Sequence, residues 1–205
     1  MNKNIPIIAL QRMPIYLNYL RKLPKDGEKY ISSGGLAAAL GLGEVLVRKD
    51  LAYTDCVGKP KVGYDVQELI TALEDFLCCY NNKTAVIVGV GGLGKALLSY
   101  NGFTAYAIKV VAGFDKDAEK VGETVAGKPV YDVAEMREKI AELGAFLAII
   151  CVPESAAQSV CDTLAKTGVK AVLNFAPVSL NAPDGVIVRN IDLAANLAVL
   201  ATMVL

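Results

Sequence analysis

The chain is 205 residues long, 54% hydrophobic and 20% charged, with 21 basic side chains against 21 acidic ones, five cysteines and no histidine. That length allows one large domain or two small ones with a sizeable buried core. No apolar run reaches the roughly 18 residues that span a bilayer, no apolar signal stretch follows the polar start Met1–Asn4, and neither a C-x-x-C pair nor a histidine is present to complete a zinc set with Cys56, Cys78, Cys79, Cys151 and Cys161. A reduced, cytoplasmic protein with no metal and no membrane partner is therefore expected. The even charge balance hides an asymmetry: residues 1–64 hold ten Lys/Arg and five Asp/Glu, the remainder eleven and sixteen. A basic first block on an acidic body points that block at a polyanion.

In chain order, Ile5–Leu23 reads as a helix broken near Pro14 and beginning about Arg12 or Met13, since proline is tolerated in a first helical turn. Pro24 ends it, and residues 25–29 form a polar loop. Ser32 or Ser33 is a natural N-cap for a short helix over Leu36–Leu40. Gly41-Leu42-Gly43 turns the chain into a second helix, Glu44–Tyr53, with Val45, Val47 and Leu51 inward and Arg48 and Lys49 outward. Two short helices about a glycine turn fit a helix-turn-helix, or an ordinary packed pair. Gly58-Lys-Pro-Lys-Val-Gly-Tyr64 is then either a solvated turn or the tip of a hairpin wing whose Lys59 and Lys61 reach phosphates. Val66–Cys79 carries Val66, Leu69, Ile70, Leu73, Phe76 and Leu77 on one helical face. It closes the first unit before the polar linker 80–83.

The second unit opens on a strand-like run, Ala85–Val88, followed by Gly89, Gly91 and Gly94 at G-x-G-x-x-G spacing and a helix over Leu93–Tyr100. A second strand, Ala107–Phe114, ends in Asp115. Gly89 allows the tight turn, Gly91 lets a pyrophosphate approach the backbone, and Gly94 lets helix and strand pack closely. The helix N-terminus offers N–H groups to the phosphates, while Asp115 suits ribose hydroxyls and so favours NAD over NADP. The alternative is a turn that binds nothing. Beyond it come a short helix Asp117–Val121, a strand Lys128–Tyr131, a helix Val133–Leu143 and a fully apolar strand Ala145–Val152 of the parallel-sheet kind. Then follow a helix Ser155–Thr167, a strand Val169–Phe175 and an edge strand Val186–Val188. This alternation predicts an α/β, doubly wound parallel sheet. The tail, Ile191–Leu205, is a helix apolar all round, which must be buried. Burial against a second subunit, with exchange of the helix, is expected.

Taken together, the sequence resembles the Rex family of redox-sensing transcriptional repressors across nearly its whole length. The resemblance is carried by Arg12-Met-Pro-Ile-Tyr16, Ile31-Ser-Ser33, Val47-Arg-Lys-Asp-Leu51, Gly58-Lys59 with Val62-Gly-Tyr64, the Gly89–Gly94 loop, Phe114-Asp115, Cys151-Val-Pro153, Val172-Leu-Asn-Phe-Ala-Pro-Val178 and Ile191-Asp-Leu-Ala194. It implies a winged-helix DNA-binding domain over residues 1–80, a Rossmann NAD(H)-binding domain over 81–190 and a swapped dimerisation helix over 191–205. It further implies a homodimer that holds operator DNA and is released by NADH. The implied cofactor residues are Gly89, Val90, Gly91, Gly92, Leu93, Gly94, Asp115, Lys116, Val152 and Pro153, with Asn174, Phe175 and Ala176 near the nicotinamide. DNA contacts fall to Ser32, Ser33, Arg48, Lys49, Lys59, Lys61 and Tyr64, and an inter-subunit switch to Arg12, Tyr100 and Asp192. The chain departs from the family at Leu46, where glutamine is usual, at Pro60-Lys61 in the wing, and at Gly92, Thr54 and Val57. Leu46 cannot hydrogen-bond a base edge. Two rival readings remain. One is an NAD-dependent dehydrogenase, which lacks a histidine or a lysine–tyrosine pair for proton transfer. The other is a nucleotide sensor acting on a protein partner.

Overall fold

The computed structural model describes residues 5–24 and 26–204, which form two compact units dividing between Asn81 and Asn82. The polar start Met1–Asn4, Lys25 of the expected loop and Leu205 of the expected tail helix lie outside the described residues.

The first unit comprises α1 (Ile7–Arg21), β1 (Tyr30–Ile31), α2 (Ser33–Leu40), α3 (Glu44–Leu51), β2 (Tyr64–Asp65) and α4 (Val66–Phe76). Its core joins Met13, Tyr16, Leu17 and Leu20 of α1 to Leu36, Val47, Leu51, Leu69 and Leu73, all fully buried. Contrary to the sequence expectation, α1 runs unbroken through Pro14. Proline forfeits one backbone hydrogen bond and crowds the preceding turn, but the stripe Ala9, Met13, Tyr16, Leu17 and Leu20 buries one face on both sides of it. Helix α2 starts three residues earlier than expected because Ser32 caps it, its hydroxyl accepting from Gly35 N–H at 2.9 Å. Gly41, at φ 65°, ends α2 in the left-handed conformation that a Cβ disfavours. Val45, expected inward, lies outward on α3 and is 55% exposed. Strands β1 and β2 pair antiparallel, Tyr30 with Asp65 and Ile31 with Tyr64, and a Lys59–Gly63 bridge closes the hairpin beyond them.

The second unit comprises β3 (Lys83–Val88), α5 (Gly92–Ser99), a 3-10 segment at Asn101–Tyr106, β4 (Ile108–Asp115), β5 (Thr124–Val125), β6 (Lys128–Asp132), α6 (Met136–Leu143), β7 (Leu147–Ile150), α7 (Glu154–Ala165), β8 (Ala171–Asn174), β9 (Ile187–Asn190) and α8 (Leu193–Thr202). The sheet order is β5-β6-β4-β3-β7-β8-β9, parallel except for the β5–β6 pair. Without β5 this is the 3-2-1-4-5-6 order of a dinucleotide-binding sheet. One face packs Val86, Val88, Phe114, Ala148 and Ile150 against α6 and α7. The other packs Ala85, Ile87, Val110 and Ile149 against Leu98 of α5 and Phe103 of the 3-10 segment. The expected helix Asp117–Val121 is instead a single turn, Val121 N–H donating to Asp117 O at 3.1 Å, before Gly122 at φ 87° diverts the chain into the β5–β6 hairpin. The expected tail helix forms as α8, and every one of its described residues is exposed.

Candidate functional site

The sheet order reverses between β3 and β7, and their carboxyl ends open the crevice where dinucleotides bind in such sheets. The apolar strand β3 delivers the chain to Gly89 at φ 94°, where a Cβ would stand 2.6 Å from the Cys151 carbonyl oxygen. A Cβ on Gly94 would collide with the Gly89 carbonyl oxygen, so the loop closes on α5 only with glycine there. Around Gly91 and Gly92 nothing lies within 4 Å of an added Cβ. That is the open approach a pyrophosphate needs, next to the unpaired first-turn N–H groups of α5. Leu93 is exposed beside them. Val90 takes no part in that approach: its side chain is fully buried and its N–H donates to Asp115 Oδ2 at 2.7 Å.

Asp115 ends β4 beside the loop. Besides the bond from Val90, its Oδ1 accepts from Asp117 N–H at 3.0 Å and its Oδ2 meets Lys120 Nζ at 3.3 Å. Burial alone would push its acidity down, but the two backbone N–H bonds and Lys120 outweigh it and hold the carboxyl below the usual aspartate range. Asp115 therefore latches the glycine loop before it meets any ribose. A cavity of about 860 Å³ is lined by Gly89, Gly91, Asp115, Lys116, Val152 and Pro153 of the expected residues. Asp117, Lys120, Met136 and Cys151 also line it, and sequence reasoning missed them. Only the i,i+3 pair Asp117–Lys120 left a local signal. The residues present fit a dinucleotide: glycines at the close approaches, a helix N-terminus, and an ionised acid.

Asn174, Phe175 and Ala176 lie one strand further, at the end of β8, and do not line that cavity. The Asn174 side chain is fully buried and holds its own turn, donating to Val178 O at 2.8 Å and Asn190 Oδ1 at 2.9 Å and accepting from Ala176 N–H at 2.9 Å. Its amide thus shapes the segment. Phe175 is half-buried against the core on the α5 side of the sheet.

In the first unit, α2 and α3 make the helix-turn-helix and the 58–65 hairpin the wing. Arg48 and Lys49 are exposed on α3. Ser32 is spent as a cap, and Ser33 Oγ meets Glu44 Oε1 at 3.3 Å. Lys59 Nζ lies 3.2 Å from Tyr30 Oη and 5.1 Å from the ring centroid. Lys61 sits exposed at the tip at φ 62°. Tyr64 is half-buried with its ring over Gly58, where a Cβ would approach to 3.0 Å.

Of the expected switch residues, Arg12 is committed inside its own unit. Its Nε and Nη2 donate to Asp50 Oδ2 and Oδ1 at 2.6 and 2.8 Å, and Tyr16 Oη donates to Asp50 Oδ2 at 2.6 Å. Asp50 is on the buried face of α3 between Val47 and Leu51. A charge at an inward helical position demands a partner, which was the available signal for this cluster. Tyr100 is 58% exposed and stacks edge-on against Phe103 at 5.1 Å. Asp192 caps α8, accepting from Ala195 N–H at 2.8 Å. Among the described residues no helix is long and apolar enough to cross a membrane and no cluster of three acidic or cysteine side chains is arranged to hold a metal.

Two families match segments of the chain: "Putative DNA-binding protein N-terminus" over residues 4–52 and "CoA binding domain" over residues 80–178. The chain is 40% identical over 195 residues to the redox-sensing transcriptional repressor Rex of Treponema denticola, spanning 95% of this chain and 93% of that protein. It is 40% identical over 200 residues to the Rex repressor of Streptomyces coelicolor, spanning 98% and 78%. Among solved structures, that of RSP in complex with β-NAD+ and operator DNA superposes with a TM-score of 0.92 at 30% identity, covering 99% of this chain and 94% of that one. RSP, a Rex-family repressor, in complex with β-NADH superposes at 0.86. Both Rex relatives are redox-sensing transcriptional repressors.

Proposed function

The chain belongs to the Rex family of redox-sensing transcriptional repressors, and from that premise we propose that it represses transcription by holding operator DNA and lets go when NADH fills the glycine-loop crevice. A single observation carries the reading: one chain holds both a winged helix-turn-helix with cations on its outward face and a dinucleotide crevice in the 3-2-1-4-5-6 sheet.

The bound nucleotide supplies the redox reading, because its nicotinamide is neutral when reduced and cationic when oxidised. Phe175 discriminates between the two, since a half-buried phenyl surface desolvates a neutral ring more cheaply than a charged one. The Gly91–Leu93 backbone and Asp115 hold the phosphates and a ribose. Arg48 and Lys49 on α3 and Lys59 and Lys61 on the wing meet the duplex. The working unit is a homodimer joined through α8, which places two reading heads about 34–36 Å apart, one helical turn. Arg12, Tyr100 and Asp192 form the switch between protomers, and Arg12 must loosen its grip on Asp50 to join it. A cytoplasmic location suits such a protein.

The test is fluorescence anisotropy of a labelled duplex, drawn from a random pool by selection on the purified protein, with NADH and NAD+ titrated separately. Release by NADH at a concentration where NAD+ leaves the complex intact is expected. With four cations per protomer on phosphates, log K should fall with log salt at a slope of about −7. Equal release by both nucleotides defeats redox sensing, and absence of salt-dependent binding defeats the DNA reading.

A further inference from the structure

Helix α3 shows five outward positions, Glu44, Val45, Leu46, Arg48 and Lys49, while Val47, Asp50 and Leu51 are buried. At 100° per residue, Arg48, Val45 and Lys49 share one face and Leu46 stands on its shoulder. Val45 is 55% exposed and Leu46 38%. Glu44 is turned away from that face: its Oε1 meets Ser33 Oγ at 3.3 Å, and its carboxyl lies over Gly34 at the start of α2. What the first turn of α3 offers outward is therefore an apolar pair flanked by two cations.

We propose that Val45 and Leu46 read thymine methyl groups in the major groove, making this chain's operator preference a methyl preference at the positions they meet. The proposal rests on the reading of α3 as the DNA-contacting helix. The residues at the N-terminus of a recognition helix are the ones that touch base edges. Neither Val45 nor Leu46 can donate or accept a hydrogen bond, so neither reads a donor–acceptor pattern. The C5-methyl of thymine is the apolar feature that the major groove presents to such side chains. The flanking Arg48 and Lys49 fix the occupant as a polyanion, because an apolar protein partner gains nothing from two cations at the centre of its contact.

The experiment uses the full-length protein without nucleotide and duplexes obtained by its own selection from a random pool. Each thymine of the selected half-site is replaced in turn by deoxyuridine, which removes only the methyl. One or two positions should lose about fourfold in affinity, the equivalent of one buried methyl group. Cytosine at those positions should also weaken binding, and 5-methylcytosine should regain part of the loss. In the double variant Val45→Ser, Leu46→Gln the thymine-to-deoxyuridine ratio should fall to one, while residual binding at low salt persists. Both positions are exposed, and an unchanged melting temperature verifies the fold. Duplex binding with no deoxyuridine effect at any position overturns the methyl reading and leaves the repressor reading standing. A surviving ratio in the double variant overturns the assignment to these side chains. No duplex binding at any salt concentration overturns the DNA reading itself.

Discussion

Asp50 is a carboxylate in the core of a small unit, and the chain surrounds it with two donors. Arg12 grips it through two N–H bonds and Tyr16 adds its hydroxyl. Removing one partner of a buried ion pair leaves an uncompensated charge, typically costing about 3–5 kcal/mol. Arg12→Ala should therefore lower the first unit's stability by roughly that amount, whereas Tyr16→Phe, which leaves Arg12 in place, should cost about 1–3 kcal/mol. The cluster also sets an alkaline limit. Burial, and then the hydrogen bond to Asp50, push the Tyr16 hydroxyl from an ordinary 10.0 up to about 12. A raised pKa means that the neutral phenol is favoured in the fold, so the stabilisation is complete below pH 10 and is lost as pH climbs through about 12. Urea unfolding between pH 8 and 12 should show this loss, with a flatter profile for Tyr16→Phe. Because the hydrogen bond to Glu74 pushes the Tyr80 hydroxyl up to about 12 as well, Tyr16 is identified by the part of the tyrosinate absorbance near pH 12 that Tyr16→Phe removes. A wild-type profile as flat as that of Tyr16→Phe excludes the assignment.

At the scale of elements, the strands and the glycine loop were legible because their signals are local. A β-branched apolar run, three glycines at fixed spacing and an acid after the next strand describe β3, α5 and β4 almost to the residue. At Pro14 of α1 the local rule about proline is outweighed by a buried stripe that spans it. The helix expected at 117–121 failed for the opposite reason: five residues cannot sustain a helix against a left-handed glycine and a hairpin. Apolarity alone does not place Val45, which is 55% exposed on the face of α3 proposed to meet DNA. Asp50 and Asn174 were legible only as residue types, since their partners come from distant segments. The loop glycines themselves divide into two kinds. Gly94→Ala drives a Cβ into the Gly89 carbonyl and should cost about 1–3 kcal/mol through forced backbone shifts, with NADH affinity lost as well. Gly91→Ala meets open space, so its melting temperature should match the parent while NADH fluorescence titration shows binding weakened about tenfold or more, because the methyl occupies the phosphate approach. A destabilised Gly91→Ala, or full NADH affinity in it, contradicts the division.

At the scale of the whole molecule, the proposed homodimer turns on one exposed helix. Helix α8 is apolar on every side, yet Leu197 is 67% exposed, Leu200 59% and Met203 76%. Ten residues of helix have too little intrinsic stability to persist in water unsupported. Such a surface marks an interaction site, and in the proposed homodimer a second copy of the chain covers it with an equally apolar helix, by the exchange that symmetric dimers use at low cost. The glycine crevice, in contrast, is lined from one chain by the loops that follow β3, β4 and β7 and by α6 and α7. The two properties should therefore separate. Leu197→Glu combined with Leu200→Glu places two charges in the shared surface and should give a monomer in sedimentation velocity. NADH affinity should stay within about threefold of the parent, because no lining residue is touched. Duplex affinity should fall by about 100-fold or more, since each monomer holds one half-site and forgoes the gain of two linked contacts. Anisotropy on a single half-site duplex should show parent and variant binding alike, which distinguishes lost assembly from a damaged reading head. A dimer that survives both glutamates locates the subunit contact away from α8, and a variant that loses NADH together with DNA makes the crevice itself a product of the paired chains.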